Sequence, residues 1–275
     1  MNIVITGSTK GIGLGMAREF IQRGHNVLVS SRREEAVRAA VAELAAIRAG
    51  TAAGCAADVA NPADVRRLWE RAVSAFGSVD IWINNAGMTN RRASLQALPD
   101  EQIATVVGTN LLGLLNCCKV AIAGMLAQDN GQGGGKGRGK IFNMEGFGSD
   151  GLSQPGMSVY GATKYAVRYL TKALVKENQG TPLVIGYMSP GIVVTDLLTR
   201  DLYEPGSAEF DQRRRFLNIL ADRVETVAPF LVQGALAAEK SGVAVRWMTP
   251  VQAVGRLVKS LFVKRDVFAS AGTQS

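Results

Sequence analysis

Short apolar runs alternate with longer helix-patterned stretches along almost the whole chain, which directs it towards βαβ units and a parallel sheet. Strands are expected at residues 2–6, 25–30, 52–57, 79–84, 141–144, 182–187 and 244–248. Helices are expected at 12–23, 34–49, 101–128, 159–178 and 251–263. Another opens at Asn61-Pro62, where a cap residue precedes a proline at the first helical position. Gly24 is placed to stop the first helix. Residues 197–242 read as helical and irregular. The pattern predicts an α/β fold: a doubly wound parallel sheet of about seven strands with helices on both faces.

No repeat or linker divides the 275 residues, and 47% of them are hydrophobic, enough for one large core. A single domain over 1–275 is expected, with a substrate-side segment at about 192–242 inside it. Cys117 and Cys118 are adjacent and Cys55 lies in an apolar run, so neither a disulfide framework nor a metal site is expected. The net charge of +8 is spread singly over amphipathic segments, which reads as a basic surface and not as a nucleic-acid interface. No apolar stretch reaches the roughly 20 residues of a membrane span. The first strand begins at Asn2, without an apolar leader before it, and a cytoplasmic protein is expected. Residues 134–140 have the glycine and lysine spacing of a Walker loop. Ile141, however, stands where that loop needs Ser or Thr, and a strand follows instead of a helix.

The turn after the first strand reads Thr6-Gly7-Ser8-Thr9-Lys10-Gly11-Ile12-Gly13. Its glycines permit a sharp turn and close approach to a pyrophosphate, and the next helix points its positive end at that anion. The second strand ends in Ser30-Ser31-Arg32-Arg33, with no carboxylate to hold the ribose hydroxyls of NAD. Arg32 and Lys10 are expected to clamp a 2′-phosphate instead, so the expected cofactor is NADP(H). Tyr160-Gly161-Ala162-Thr163-Lys164 puts a phenol and an ammonium one helical turn apart on one face. The cation is expected to lower the pKa of the phenol from its usual value near 10 and make it a proton carrier.

In this order the segments resemble the short-chain dehydrogenase/reductase family over essentially the whole length. The matches are T-G-xxx-G-x-G at Thr6 to Gly13, Asp58-Val59, Asn84-Asn85-Ala86-Gly87, Asn110, Tyr160 with Lys164, and Pro190-Gly191 with Thr195. The resemblance implies a Rossmann fold, an oxidoreductase acting on CH–OH or C=O, and a homo-oligomer. It implies that Asp58 and Val59 bound the adenine and that Asn84 to Gly87 support the sheet. Pro190, Gly191, Val193 and Thr195 would hold the nicotinamide, and Asn110 would anchor a water relaying protons from Lys164.

The serine that the family carries after the fifth strand is out of place. Gly146 and Phe147 fill its column; Ser149 is the nearest hydroxyl and Ser153 the next, and a backbone N–H is the alternative. The stretch from Phe142 to Ser149 resembles the N-M-D-G-x-G-S segment of the chlorophyll(ide) b reductases, a branch of the family. Residues 80–87, Val159-Tyr160-Gly161, Ser189-Pro190-Gly191, 195–198, 225–228 and 248–250 match it too. The resemblance implies a tetrapyrrole substrate whose formyl group becomes hydroxymethyl. Leu198, Leu202, Phe210, Phe216 and Leu220 would suit such a flat apolar ligand, or an ordinary core. Two alternatives stand: a reductase of another bulky aldehyde or ketone, and a non-catalytic NADP-binding sensor or scaffold.

Overall fold

The structure, a computed structural model, describes residues 1–47, 49–128, 139–199 and 208–268. The strands are β1 Asn2–Ile5, β2 Asn26–Ser31, β3 Ala52–Ala56, β4 Ile81–Asn84, β5 Gly139–Met144, β6 Leu183–Ser189, β7 Ile192–Val193, β8 Ala221–Asp222 and β9 Ala244–Arg246. The helices are α1 Gly11–Gln22, α2 Glu34–Ala45, α3 Pro62–Phe76, α4 Asp100–Val107, α5 Gly113–Ala127, α6 Ser158–Glu177, α7 Asp196–Thr199, α8 Ala208–Leu220, α9 Val224–Ala237 and α10 Pro250–Lys259.

Seven strands form one parallel sheet in the order β3-β2-β1-β4-β5-β6-β9. Successive side chains of a strand point to opposite faces, and each face has its own core. Ile3, Ile5, Val27, Val29, Ile81, Ile83 and Phe142 meet α1, α2 and α9 on one side. Val4, Leu28, Trp82 and Ile141 meet α3 and α5 on the other. Strands buried on both faces have to be apolar throughout, which is why the sequence shows short unbroken apolar runs.

The strand order reverses between β1 and β4. Their carboxyl ends therefore open a crevice, the usual ligand position in such sheets. Asn61 caps α3 by accepting from the Ala63 N–H at 2.9 Å.

Several expectations are revised. The helix expected at 101–128 is α4 and α5 joined through a π-helical turn, Gly108–Leu112, which carries buried Asn110. A π turn takes up one extra residue where a side chain must be redirected. The segment Asp100–Ala127 is also long and apolar enough to cross a membrane by length and composition, contrary to the expectation that none is. Its Val106, Leu114, Cys117, Cys118, Ala121 and Met125 are buried against the rest of the protein.

β5 begins at Gly139, two residues before the expected start. The Walker-like stretch up to residue 138, Leu202, and the side chain of Phe210 lie outside what is described. The paired β7 and β8 were not expected, because two-residue strands are too short to show a period.

Candidate active site

The turn has to be glycine because the space its side chains would occupy is already taken. Gly7 has φ 62°, and a Cβ there would lie 2.7 Å from Ala86 Cα. A Cβ on Gly13 would lie 2.5 Å from Asn85 Nδ2, and one on Gly11 would lie 3.3 Å from Thr195 Cγ2. The three segments thus converge on one wall of the crevice. Asn85 fixes the turn by donating from Nδ2 to the carbonyls of Thr6 and Gly7, both at 2.9 Å. Ser8 is buried; its hydroxyl donates to the Ile5 carbonyl at 2.5 Å and accepts from the Ser30 N–H at 3.0 Å. α1 starts with no side-chain cap and no acidic residue in its first turn, so its positive end remains open to an anion. Thr9, Gly11 and Ile12 are half-buried beside it.

Arg32 is exposed beyond Ser31 at the end of β2, as a phosphate partner would be. Lys10 is placed differently from the expectation. Its Nζ pairs with Asp196 Oδ2 at 2.9 Å, across the crevice mouth, instead of being free for the ribose beside Arg32. Asp58 accepts from the Ala60 N–H at 3.0 Å, and Val59 is buried against Gly113, where a Cβ would lie 2.5 Å from Val59 Cγ2. Pro190 and Gly191 follow β6, buried Val193 lies in β7, and half-buried Thr195 comes after it.

Tyr160 and Lys164 lie on the buried face of α6. That helix is held by a polar chain through the core. Trp82 Nε1 donates to Asn84 Oδ1 (2.7 Å), Asn84 Nδ2 to Asn143 Oδ1 (2.8 Å), Asn143 Nδ2 to Thr171 Oγ1 (2.9 Å), and Thr171 to the Val167 carbonyl (2.7 Å). Buried Asn90, which the sequence reading missed, accepts the Tyr160 N–H at 3.1 Å. Its signal was weak: one asparagine three residues beyond the Asn85-Ala86-Gly87 stretch.

The Lys164 ammonium donates to the Met144 carbonyl at 3.1 Å and sits 5.8 Å from the centre of the Tyr160 ring. It also faces Gly87, where a Cβ would lie 3.6 Å from Nζ. Burial pushes the Tyr160 phenol up to about 12, opposite to the lowering expected from the nearby cation. Burial lowers Lys164 to about 8, opposed by the carboxylate of Glu145. Glu145 is itself buried and paired with Arg168 Nε at 2.7 Å.

Gly146 lies directly against the phenol: a Cβ there would be 2.4 Å from Tyr160 Oη. The expectation for Ser149 is corrected. Its buried hydroxyl accepts from the Gly146 N–H at 3.1 Å and donates to the Lys164 carbonyl at 3.0 Å, so its proton is already taken up. Gly148, at φ 92°, folds that hydroxyl inward. Ser153 is exposed. The Asn110 side chain is likewise occupied, bonded to both backbone groups of Met88 at 2.7 and 2.8 Å and to Thr163 Oγ1 at 3.0 Å. It braces the Gly87–Met88 loop against α6. Among the described residues no His, Cys, Asp and Glu cluster suits a metal.

A family model described as short chain dehydrogenase matches residues 1–204. The chain is 40% identical over 264 residues to chlorophyll(ide) b reductase NOL, chloroplastic, of Arabidopsis thaliana, covering 93% of this chain and 72% of that one. Among solved structures, 3-ketoacyl-(acyl-carrier-protein) reductase from Brucella melitensis, complexed with NADH, superposes with a TM-score of 0.77 at 26% identity. It covers 91% of this chain and 97% of its own. A gluconate 5-dehydrogenase from Burkholderia cenocepacia, in complex with NADP and tartrate, gives 0.72 at 28% identity, covering 89% and 92%. The relative from Arabidopsis is a chloroplast protein, which overturns the cytoplasmic expectation. That expectation rested on the lack of an apolar leader, and the transit peptide of a plastid protein is amphipathic instead.

Proposed function

The chain belongs to the short chain dehydrogenase family, an oxidoreductase among carbonyl reductases, and from that premise we propose that it is an NADPH-dependent reductase of the formyl group of a chlorophyll(ide) b-type tetrapyrrole. NADPH would lie along Gly7, Gly11 and Gly13, over Ala86 and Gly87, with Arg32 at its 2′-phosphate and Thr195 and Lys164 towards its nicotinamide. The chemistry the cofactor supplies there is hydride donation.

The chain's own part is to place the carbonyl and move one proton. A phenol near 12 is protonated at neutral pH, and an alkoxide forming on the substrate is the stronger base. Tyr160 therefore donates its Oη proton as the carbonyl oxygen gains charge. Lys164, still mostly cationic at neutral pH, then stabilises the phenolate left behind. With the Ser149 hydroxyl and the Gly146 N–H bonded to each other, the donors of this turn without a partner among the described residues are the N–H groups of Phe147 and Gly148. These are the candidates to polarise the carbonyl.

The single observation that carries the substrate reading is the 40% identity over 264 residues to a chlorophyll(ide) b reductase. Gly146 lies in the segment that resembles those enzymes, and its lack of a side chain lets the phenol and Lys164 pack against this turn, since a Cβ there would lie 2.4 Å from Tyr160 Oη. Exposed Leu197 and Phe216 lie on the substrate-side segment and can cover a ring face. The test is purified protein with NADPH and chlorophyllide b, following the visible absorption as the formyl leaves conjugation. Turnover of the pigment is the expected result. Rapid turnover of small aldehydes with none of the pigment would reject it in favour of a general carbonyl reductase.

A further inference from the structure

Helix α10 presents its apolar side to solvent and its polar side to the protein. A helix that owes its place only to the core does the reverse. Val251, Val254, Val258, Leu261 and Phe262 recur at helical spacing through α10 and the turn after it. Val251, Leu261 and Phe262 are 81, 78 and 82% exposed. The inner side carries Arg256, whose Nη1 donates to buried Asp222 at 2.6 Å, with half-buried Ala253 and Ser260 beside it.

This orientation is firmly fixed and is not fraying. Thr249 and Gln252 form a reciprocal capping box at the start of α10. Asp222 also accepts from Trp247 at 2.6 Å before the helix and from Arg265 at 2.8 Å after it. Burial works against the Asp222 carboxylate, but these three donors hold its pKa below the ordinary value.

Behind the apolar stripe, between α8 and α10, lies an open cavity of about 800 Å³ lined by Arg215, Arg256, Lys259, Lys264 and Arg265. From residue 250 to residue 265 the sequence has no Asp or Glu. We propose that the outer face of α10 and the basic cavity beside it form a docking surface for a lipid bilayer that carries anionic headgroups.

Charge selects this occupant. Apolar side chains would enter the acyl boundary while lysines and arginines stay at headgroup level, the arrangement of helices that lie in a membrane interface. In a two-fold pair of copies joined through this face, Lys259 and Lys264 of one copy would meet the same basic patch on the other. A bilayer supplies both the apolar phase and the phosphate oxygens.

The test is co-sedimentation of the purified full chain with vesicles of phosphatidylcholine alone, or of phosphatidylcholine mixed with phosphatidylglycerol. The chain is expected to bind the mixed vesicles, more weakly as salt rises. Lys259→Gln with Lys264→Gln should weaken that binding by about thirtyfold. Leu261→Ser with Phe262→Ser should weaken it by about tenfold or more, with NADPH affinity unchanged as the check on folding. Absence of binding to the mixed vesicles overturns the proposal, as does binding unaffected by the double serine change. If the unmutated chain is a dimer that this change splits, or if the face instead binds an acidic soluble protein and not vesicles, the bilayer is excluded as its occupant.

Discussion

The two ends of the crevice are built from different materials. At the glycine turn the ligand-facing wall is main chain, brought close to Ala86, Asn85 and Thr195 by the lack of side chains. At the other end it is side chain. Tyr160 and Lys164 project from a helix that the core chain through Asn84 and Asn143, together with Asn90, holds in place. A wall of backbone is indifferent to which dinucleotide it cradles, so selectivity there falls to an exposed charge at its rim. A wall of buried side chains is the opposite: each group is positioned by another, and the chemistry is concentrated in few atoms. Substitutions should therefore act by degree at the first end and nearly all-or-none at the second.

The sharpest test of this contrast is Tyr160→Phe. Loss of the proton donor should lower turnover by about a hundredfold or more while NADPH binding, followed by fluorescence titration, stays as it was. Retained activity would move the proton donor elsewhere and dissolve the contrast.

Next comes Arg32→Asp at the rim. Losing one charge-assisted contact and gaining a repulsion should weaken NADPH binding about ten- to a hundredfold, with kcat almost untouched. An unmutated protein that used NADH and NADPH equally would remove the basis for this expectation.

Ser149→Ala distinguishes structural from chemical use of a hydroxyl. It deletes two buried hydrogen bonds and should cost about 1–3 kcal/mol of stability, read as a lower Tm. Ser153→Ala, at an exposed site, should leave Tm unchanged. A turnover loss for Ser149→Ala at unchanged Tm would return that serine to the reaction.

The smallest effect is in pH. Lys164 should lose its proton around pH 8, so reduction is expected to hold below that value and fall above it. The Glu145 carboxylate favours the charged lysine, and Glu145→Gln should therefore move that falling limb to lower pH. A limb that stays in place would uncouple Glu145 from the site. The readout is the position of the limb and not the maximal rate, since the change also removes the partner of Arg168.

What could be read from the sequence was local. The parallel sheet follows from unbroken apolar runs, and the glycine turn and the Tyr160–Lys164 pair are fixed by spacings within one turn of chain. What could not be read depended on distant or bent chain. Lys10 reads as a ribose contact until Asp196, 186 residues later, is seen beside it. Ser149 reads as a hydrogen-bond donor to substrate because sequence distance cannot show that Gly148 turns its hydroxyl onto the Lys164 carbonyl. The expected lowering of the phenol pKa failed for a different reason: spacing on a helix does not show how deeply the phenol is buried, and burial raises it. Gly146 was legible as a missing side chain, but not as one whose Cβ would lie 2.4 Å from the phenol oxygen.

The chain of polar side chains through the core has a direction. An indole N–H can only donate, so Trp82 obliges Asn84 to turn its oxygen outward and its amino group onward. Asn143 must then do the same, and Thr171 accepts from it and passes its own proton to Val167. One residue that cannot reverse its role thus sets the sense of every bond up to the helix that carries the phenol. In a Trp82→Phe chain both amides could face either way, and the same four positions would encode two cores where there is now one.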